Sequence, residues 1–395
     1  MVVKTATHRY DVIYVGFLLG HGGDALQMLC LAEEMQRRGA RVKIVVPAGE
    51  HSVTFKARCD AAGVECERST LLVAGMYRSR QTLRSLMRLF RSLDAPVVHF
   101  HTGNSILPRS AMAALTLLRS EPAVVTTHSP YETIDAHSPR GRMWAATARH
   151  RFRAVVCPSD HASRFQRSCG VPADLVVTIR NTVDVDTMAG GDGARQRAAL
   201  GIAPDTPVVL FCSRIDKQKR PLDAVRVLDL VRADFPDALL VFLGSGELEG
   251  AVRDEAERLG LSDRVRLAGY QTNVPDWLAM ATVWLLPTER ENFSVAVLEA
   301  LAAGCPVLAT DCPGNDEVLV DGENALTFAV GDVTGAAERL RRLLADAALR
   351  EQLASNGRAT AKGYTVERMI DEYAKVYARM PGCPDMLRPR TGVSS

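Results

Sequence analysis

Residues Pro287–Glu317 read PTERENFSVAVLEALAAGCPVLATDCPGNDE, and this stretch decides the fold. Just ahead of it, Thr282–Pro287 (TVWLLP) is short, apolar and closed by a proline, which reads as a buried strand. A polar turn, Thr288–Asn292, leads into Ser294–Ala303, which has helical composition and is closed by Gly304 as its C-cap. Cys305-Pro306 opens a second strand, Val307–Thr310. Two glutamates, Glu291 and Glu299, stand at the start of this strand–helix–strand unit. Their spacing is two helical turns, roughly 12 Å of rise if the segment is one helix. Two acceptors at that separation suit a ligand with hydroxyls at both ends. Loop amides at the helix N-terminus suit an anion or a developing negative charge. A glutamate pair alone could equally be a solvated helix face.

Upstream of this unit lies a series of strands and helices that starts after Ala189-Gly-Gly-Asp-Gly193, the clearest composition break and the expected hinge. Pro207–Ser213 is its first strand, followed by Arg214-Ile-Asp-Lys-Gln-Lys219. Two cations five residues apart at a strand's carboxyl end suit a pyrophosphate, the arginine as a fork and the lysine as a point charge. Leu239–Leu243 runs into Gly244-Ser-Gly246, and Arg264–Tyr270 ends at Gly269-Tyr270. Asp332–Leu353 and Val366–Met380 read as the closing helices, before a polar, proline-rich tail.

The first half repeats the pattern. Asp11–Phe17 is a buried strand, Gly20-His21-Gly22-Gly23 a glycine loop, and Asp24–Arg38 a helix with Leu26, Leu29, Ala32 and Met35 on one face and Gly39 as C-cap. Arg41–Val46 completes a Rossmann-like βαβ unit, though the loop is not the dinucleotide fingerprint. Arg78–Leu93 carries an apolar stripe (Leu83, Leu86, Met87, Phe90) beside Arg80, Arg84, Arg88 and Arg91. That pattern fits an interfacial helix or an anion-binding patch, or, more often, a helix packed on its own sheet with its arginines in water. Val97–His101 places His99 and His101 on one face, with no third zinc ligand at convincing spacing. Ala123–Thr127 is a buried strand, and His128 lies just past its carboxyl end, where open α/β sheets place ligands.

Glu291-x7-Glu299 continuing into EALAAGCPV resembles the signature of retaining glycosyltransferases of family 4. The resemblance implies an α/β fold of the GT-B type: two Rossmann-like domains facing across a cleft, with the last helix crossing back to the first. The expected division is 1–188 for the acceptor, 189–365 for the nucleotide sugar, and 366–395 for the crossover helix and tail. The implied reaction is a retaining transfer of a sugar, expected to be a hexose or N-acetylhexosamine, from a nucleotide-diphosphate sugar, with UDP favoured over GDP, to an acceptor that the sequence leaves open among a lipid, a polysaccharide end and a small natural product. A front-face mechanism, without covalent nucleophile, cofactor or obligate metal, goes with it. By that resemblance Arg214 and Lys219 meet the diphosphate, with Gly22, Gly23, Gly244 and Gly246 close to it. Gly269 and Tyr270 hold the base, Glu299 the ribose, and Glu291 and His128 the sugar, which also receives amides from Asn292, Phe293 and Ser294. Asn181-Thr-Val-Asp184 resembles the family's Asn-Gly-Val-Asp, with Thr182 replacing the glycine. Asp184-Val-Asp186 spells a metal motif of the other glycosyltransferase architecture, here in the linker and read as coincidence. Readings that stay open are a nucleotide-sugar 2-epimerase, a sucrose- or starch-type synthase, and a catalytically silent partner subunit.

Composition sets the limits. A chain of 395 residues favours two domains. Net charge +2 gives no argument for nucleic acid. Nine cysteines without paired spacing, and an N-terminal stretch without a long apolar run, lead to the expectation of reduced thiols in the cytoplasm. Any membrane contact is expected to be peripheral.

Overall fold

Strands that are apolar on both faces must be covered on both faces, and such runs build parallel sheets flanked by helices. The computed structural model describes residues 8–17, 22–72, 80–118, 122–128 and 135–389. It divides into two compact units, Met1–Asn181 with Val366–Ser395, and Thr182–Thr365.

In the first unit the described strands are β1 (Val12–Phe17), β2 (Val42–Pro47), β3 (Glu65–Ser69), β4 (Val97–Thr102), β5 (Ala123–Thr127), β6 (Phe152–Cys157) and β7 (Val176–Thr178). They form one sheet in the order β3-β2-β1-β4-β5-β6-β7, and every pairing is parallel. The order reverses between β1 and β4, the kind of point where a crevice opens at the carboxyl ends of strands. Alternate residues feed two cores: Val12, Tyr14, Ile44 and Val46 on one side, Ile13, Val15, Val45 and Val125 on the other. The first core is closed by Gly23–Arg37 and by the last helix, Val366–Tyr377. The buried face of Gly23–Arg37 is Ala25, Met28, Leu29, Ala32 and Met35, so Leu26 of the expected stripe is only half-buried. Arg38, whose side chain is only 6% exposed, ties the two helices by donating from Nη2 to Asp371 Oδ1 at 3.0 Å.

The second unit contains β8 (Val208–Cys212), β9 (Leu239–Leu243), β10 (Val265–Gly269), β11 (Val283–Leu286), β12 (Val307–Asp311) and β13 (Leu326–Ala329). Its order is β10-β9-β8-β11-β12-β13, again parallel throughout, with the reversal between β8 and β11. The chain therefore has the two Rossmann-like sheets of the GT-B fold, with the C-terminal helix packed on the first.

Local details add to the expectations. The two compact units divide at Asn181/Thr182. Gly191 and Gly193 lie against the helix Val274–Met280, where an added Cβ would stand 2.1 Å from Pro275 O and 2.4 Å from Ala279 O, so close packing requires small residues there. Asp332–Leu353 is two helices, Val333–Ala345 and Ala347–Ala361, because Asp346 stops the first and caps the second by accepting from Leu349 N at 2.9 Å. The helix after the turn is Val295–Ala302, with Ser294 as its N-cap. Glu291 is therefore outside the helix, and the two-turn spacing between the glutamates does not apply.

Candidate active site

The loop leaving β8 sets its two cations differently. Asp216 accepts from Lys219 N at 3.1 Å and caps the short turn Lys217–Lys219, after which Arg220 takes a left-handed φ of 51°. This turn drives the Lys219 side chain inward, where Nζ donates to Glu291 Oε1 at 2.5 Å. Side-chain exposure is 10% for Lys219 and 8% for Glu291, so this is a buried ion pair. Arg214 stays 57% exposed and pairs with Asp216 Oδ2 at 2.6 Å. The two cations are thus one buried and one solvated group.

Three loops fix Glu291. Glu289 N donates to Gln218 O at 2.8 Å, and Gln218 Nε2 donates to Arg290 O at 2.9 Å. Thr310 Oγ1, at the end of β12, donates to Thr288 O at 2.6 Å. Glu291 N donates to Pro313 O at 3.0 Å. Gly314 (φ +91°) must be a glycine, since a Cβ there would stand 2.4 Å from Glu291 O. Sequence reasoning missed Asp216, Gln218, Thr288 and Thr310 as the residues that hold this geometry. Their one visible signal was their position at strand carboxyl ends.

The remaining residues of the turn take distinct roles. Phe293 is buried against Tyr364, ring centroids 5.2 Å apart, so its side chain is core and only its backbone can serve a ligand. Ser294 Oγ accepts from Val297 N at 3.5 Å. Asn292 is half-buried beside them. Glu299 is half-buried on the helix, and at the end of β8 burial first, then the Glu299 charge, pushes the Cys212 thiol up.

The glycines of the neighbouring loop are explained by backbone approach. A Cβ at Gly244 (φ +139°) would stand 2.1 Å from Ser213 O, and one at Gly246 would stand 2.3 Å from Ile215 O. Ile215 N donates to Ser245 O at 3.0 Å, so the loop after β9 seats the loop that carries Arg214 and Lys219. Gly269 O accepts from Gly244 N at 2.8 Å, and Tyr270 beside it is a large, 45% exposed side chain.

In the first unit, Gly22 is the N-cap of Gly23–Arg37, while Gly20 and His21 lie outside the described residues. His128 follows β5, its N donating to Thr102 O at 2.9 Å. Burial holds its imidazole below the ordinary histidine range, against the raising influence of Asp24. The two histidines of β4 are both buried and both held well below that range, first by burial and then by neighbouring histidines. His99 is satisfied by Tyr377 Oη and Thr126 Oγ1, each at 2.8 Å. His101 Nδ1 meets His128 Nε2 at 3.0 Å.

Among the described residues no group of three or more His, Cys, Asp or Glu is placed to hold a metal ion. Asp184 of the metal-like motif caps Val185–Ala189 by accepting from Thr187 N at 2.9 Å. The arginine helix is described over Arg80–Ser92; Leu86, Leu89 and Phe90 are buried in its own core, and Arg84, Arg88 and Arg91 are exposed. No described helix is long and apolar enough to cross a membrane.

Two family models match, one for each half. "Glycosyltransferase Family 4" matches residues 21–187, and "Glycosyl transferases group 1" matches residues 192–360. The lipopolysaccharide core biosynthesis glycosyltransferase LpsE of Rhizobium meliloti is 33% identical over 48% of this chain and 54% of its own length. The phosphatidyl-myo-inositol mannosyltransferase of Mycobacterium leprae is 28% identical over 90% of this chain and 92% of its own. For the curated relatives that head the comparison, the match spans about half their length, 48% to 54%. Among solved structures, Anabaena HepE in complex with UDP and glucose superposes with a TM-score of 0.79 at 18% identity, covering 94% of this chain and 100% of that one.

Proposed function

This chain belongs to glycosyltransferase family 4, and on that premise we propose that it moves a hexosyl or N-acetylhexosaminyl group, with retention, from a nucleotide-diphosphate sugar to an acceptor hydroxyl. The observation that carries the reading is the buried Lys219–Glu291 pair, held by loops from β8, β11 and β12 at the carboxyl ends of the second sheet. An ammonium and a carboxylate buried together are costly to desolvate, and a site that keeps them has a use for both charges.

The division of labour follows from chemistry. A departing nucleoside diphosphate gains negative charge, which the Lys219 ammonium and the solvated Arg214 fork stabilise in place of a metal ion. Once the diphosphate takes Lys219, the Glu291 carboxylate is released to the sugar hydroxyls and to the positive character that grows at the anomeric carbon. Glu299 holds the ribose. Backbone amides of Asn292, Phe293 and Ser294 orient the sugar. Gly244 and Gly246 seat the cationic loop, and Gly269 with Tyr270 lies against the base. In the first unit, Gly22 and Gly23 meet the diphosphate and His128 meets the sugar. UDP is favoured over GDP, supported by the solved HepE complexes with UDP and UDP-glucose. The first unit serves the acceptor, and the reaction belongs to the cytoplasm.

The test is a mass-spectrometric screen of the purified chain against UDP- and GDP-sugars, with and without EDTA. Release of UDP from one donor, undiminished by EDTA, is the expected result. Absence of turnover and of thermal protection by every nucleotide sugar would overturn the reading.

A further inference from the structure

His128 is the residue of the first unit assigned to the donor sugar, and the role inferred for its neighbour His101 rests on that assignment. The His128 ring does not stand alone. His101 Nδ1 lies 3.0 Å from His128 Nε2, and the two rings are nearly parallel, 5.3 Å between centroids at 22°. Beneath His101 lies His99, with centroids 4.1 Å apart. His99 cannot rotate without breaking bonds at both nitrogens, to Tyr377 Oη and Thr126 Oγ1, and Thr126 Oγ1 is also 3.0 Å from Tyr373 Oη. The last helix thus braces His99, and His99 walls the ring of His101.

One hydrogen bond between two neutral imidazoles has two proton placements. If His128 Nε2–H donated, the proton of His101 would sit on its own Nε2. That atom is buried and has no hydrogen-bond partner, so a donor would be orphaned in the core. Buried N–H groups without acceptors are among the rarest features of folded proteins. If His101 Nδ1–H donates, the orphan atom is a bare lone pair instead. The bond made by one ring nitrogen sets the state of the other. From this geometry we infer that His101 is a positioning residue. It donates from Nδ1 to His128 Nε2 and so fixes His128 with its single proton on Nδ1. His128 then offers the sugar a neutral hydrogen-bond donor, not a lone pair, and cannot act there as a general base. Burial, which disfavours the charged form of both rings, works in the same direction.

The experiment is a long-range proton–nitrogen correlation spectrum of the full chain with 15N-labelled histidine, free of ligand. The His128 signals are identified by their loss in His128→Asn. A protonated Nδ1 and a bare Nε2 on His128 are expected. In His101→Leu the proton should move toward Nε2, the form an unconstrained histidine prefers. In His101→Asn, whose amide nitrogen replaces Nδ1 as donor, the native pattern should persist, and turnover should follow the tautomer, with kcat/KM about tenfold lower in the leucine variant alone. A native His128 protonated on Nε2, or a pattern unchanged by His101→Leu, would overturn the inference. The native spectrum decides even if a variant fails to fold. The expected spectrum combined with full activity of His128→Asn would uphold the positioning by His101 and remove the role of His128 at the sugar.

Discussion

Replacing Glu291 by glutamine keeps the shape of the side chain and leaves the Lys219 ammonium facing a neutral amide in a buried setting. Removing one partner of a buried pair costs about 3–5 kcal/mol, because the surviving charge stays desolvated. Glutamine retains an acceptor oxygen, which places the expectation at the low end, about 3 kcal/mol. For a unit of this size that corresponds to a fall in Tm of roughly 6–12 °C. Lys219→Met strands the carboxylate instead and should cost a similar amount. The double variant leaves neither charge buried, so it should be more stable than the sum of the two losses by at least about 1.5 kcal/mol. Urea unfolding followed by tryptophan fluorescence measures this. Trp277 and Trp284 are both buried in the second unit, while Trp144 reports on the first. The same geometry has a kinetic consequence. If the donor diphosphate takes Lys219 as proposed, it must compete there with Glu291, so Glu291→Gln should bind UDP more tightly while kcat falls. Additive single effects, within about 0.5 kcal/mol, together with weaker UDP binding, would refute the reasoning.

If Glu299 holds the ribose as proposed, Glu299→Gln should behave differently from Glu291→Gln: a ribose contact is equal in ground and transition states, so KM rises with kcat little changed, and steady-state rates across donor concentrations check it. The first unit should lose stability as pH falls below about 6.5, the unfolded histidine pKa, because His99, His101 and His128 have lowered folded values and the unfolded chain takes up their protons first. The slope should approach about 3 kcal/mol per pH unit from His99 and His101, the two held well below the ordinary range, read from Trp144 fluorescence in urea at pH 7.5 and 5.5; a flat response would mean the rings are charged in the folded state. Gly246→Ala, whose Cβ would stand 2.3 Å from Ile215 O, should displace the loop bearing Lys219 and raise the Kd for UDP by calorimetry, with an unchanged Kd counting against that seat.

By itself the sequence determined the architecture, because alternation of short apolar strands with helices leaves a parallel sheet as the economical way to cover both faces. The glycine stops at Gly39 and Gly304 were equally legible, since a left-handed φ at a helix end favours that residue type. Lys219, Glu291 and Glu299 could be named from their order along the chain. Their physical state could not. That Lys219 is buried on Glu291 while Arg214 stays in solvent depends on Asp216, Gln218 and Thr310, contributed by loops far apart in sequence. Composition marks the glycine-rich stretch at Gly191 and Gly193 as a break but does not report which carbonyl crowds each glycine. The stretch Val97–His101 shows only that the rings of His99 and His101 share a face, and only packing against Tyr377, Thr126 and His128 says what they meet there.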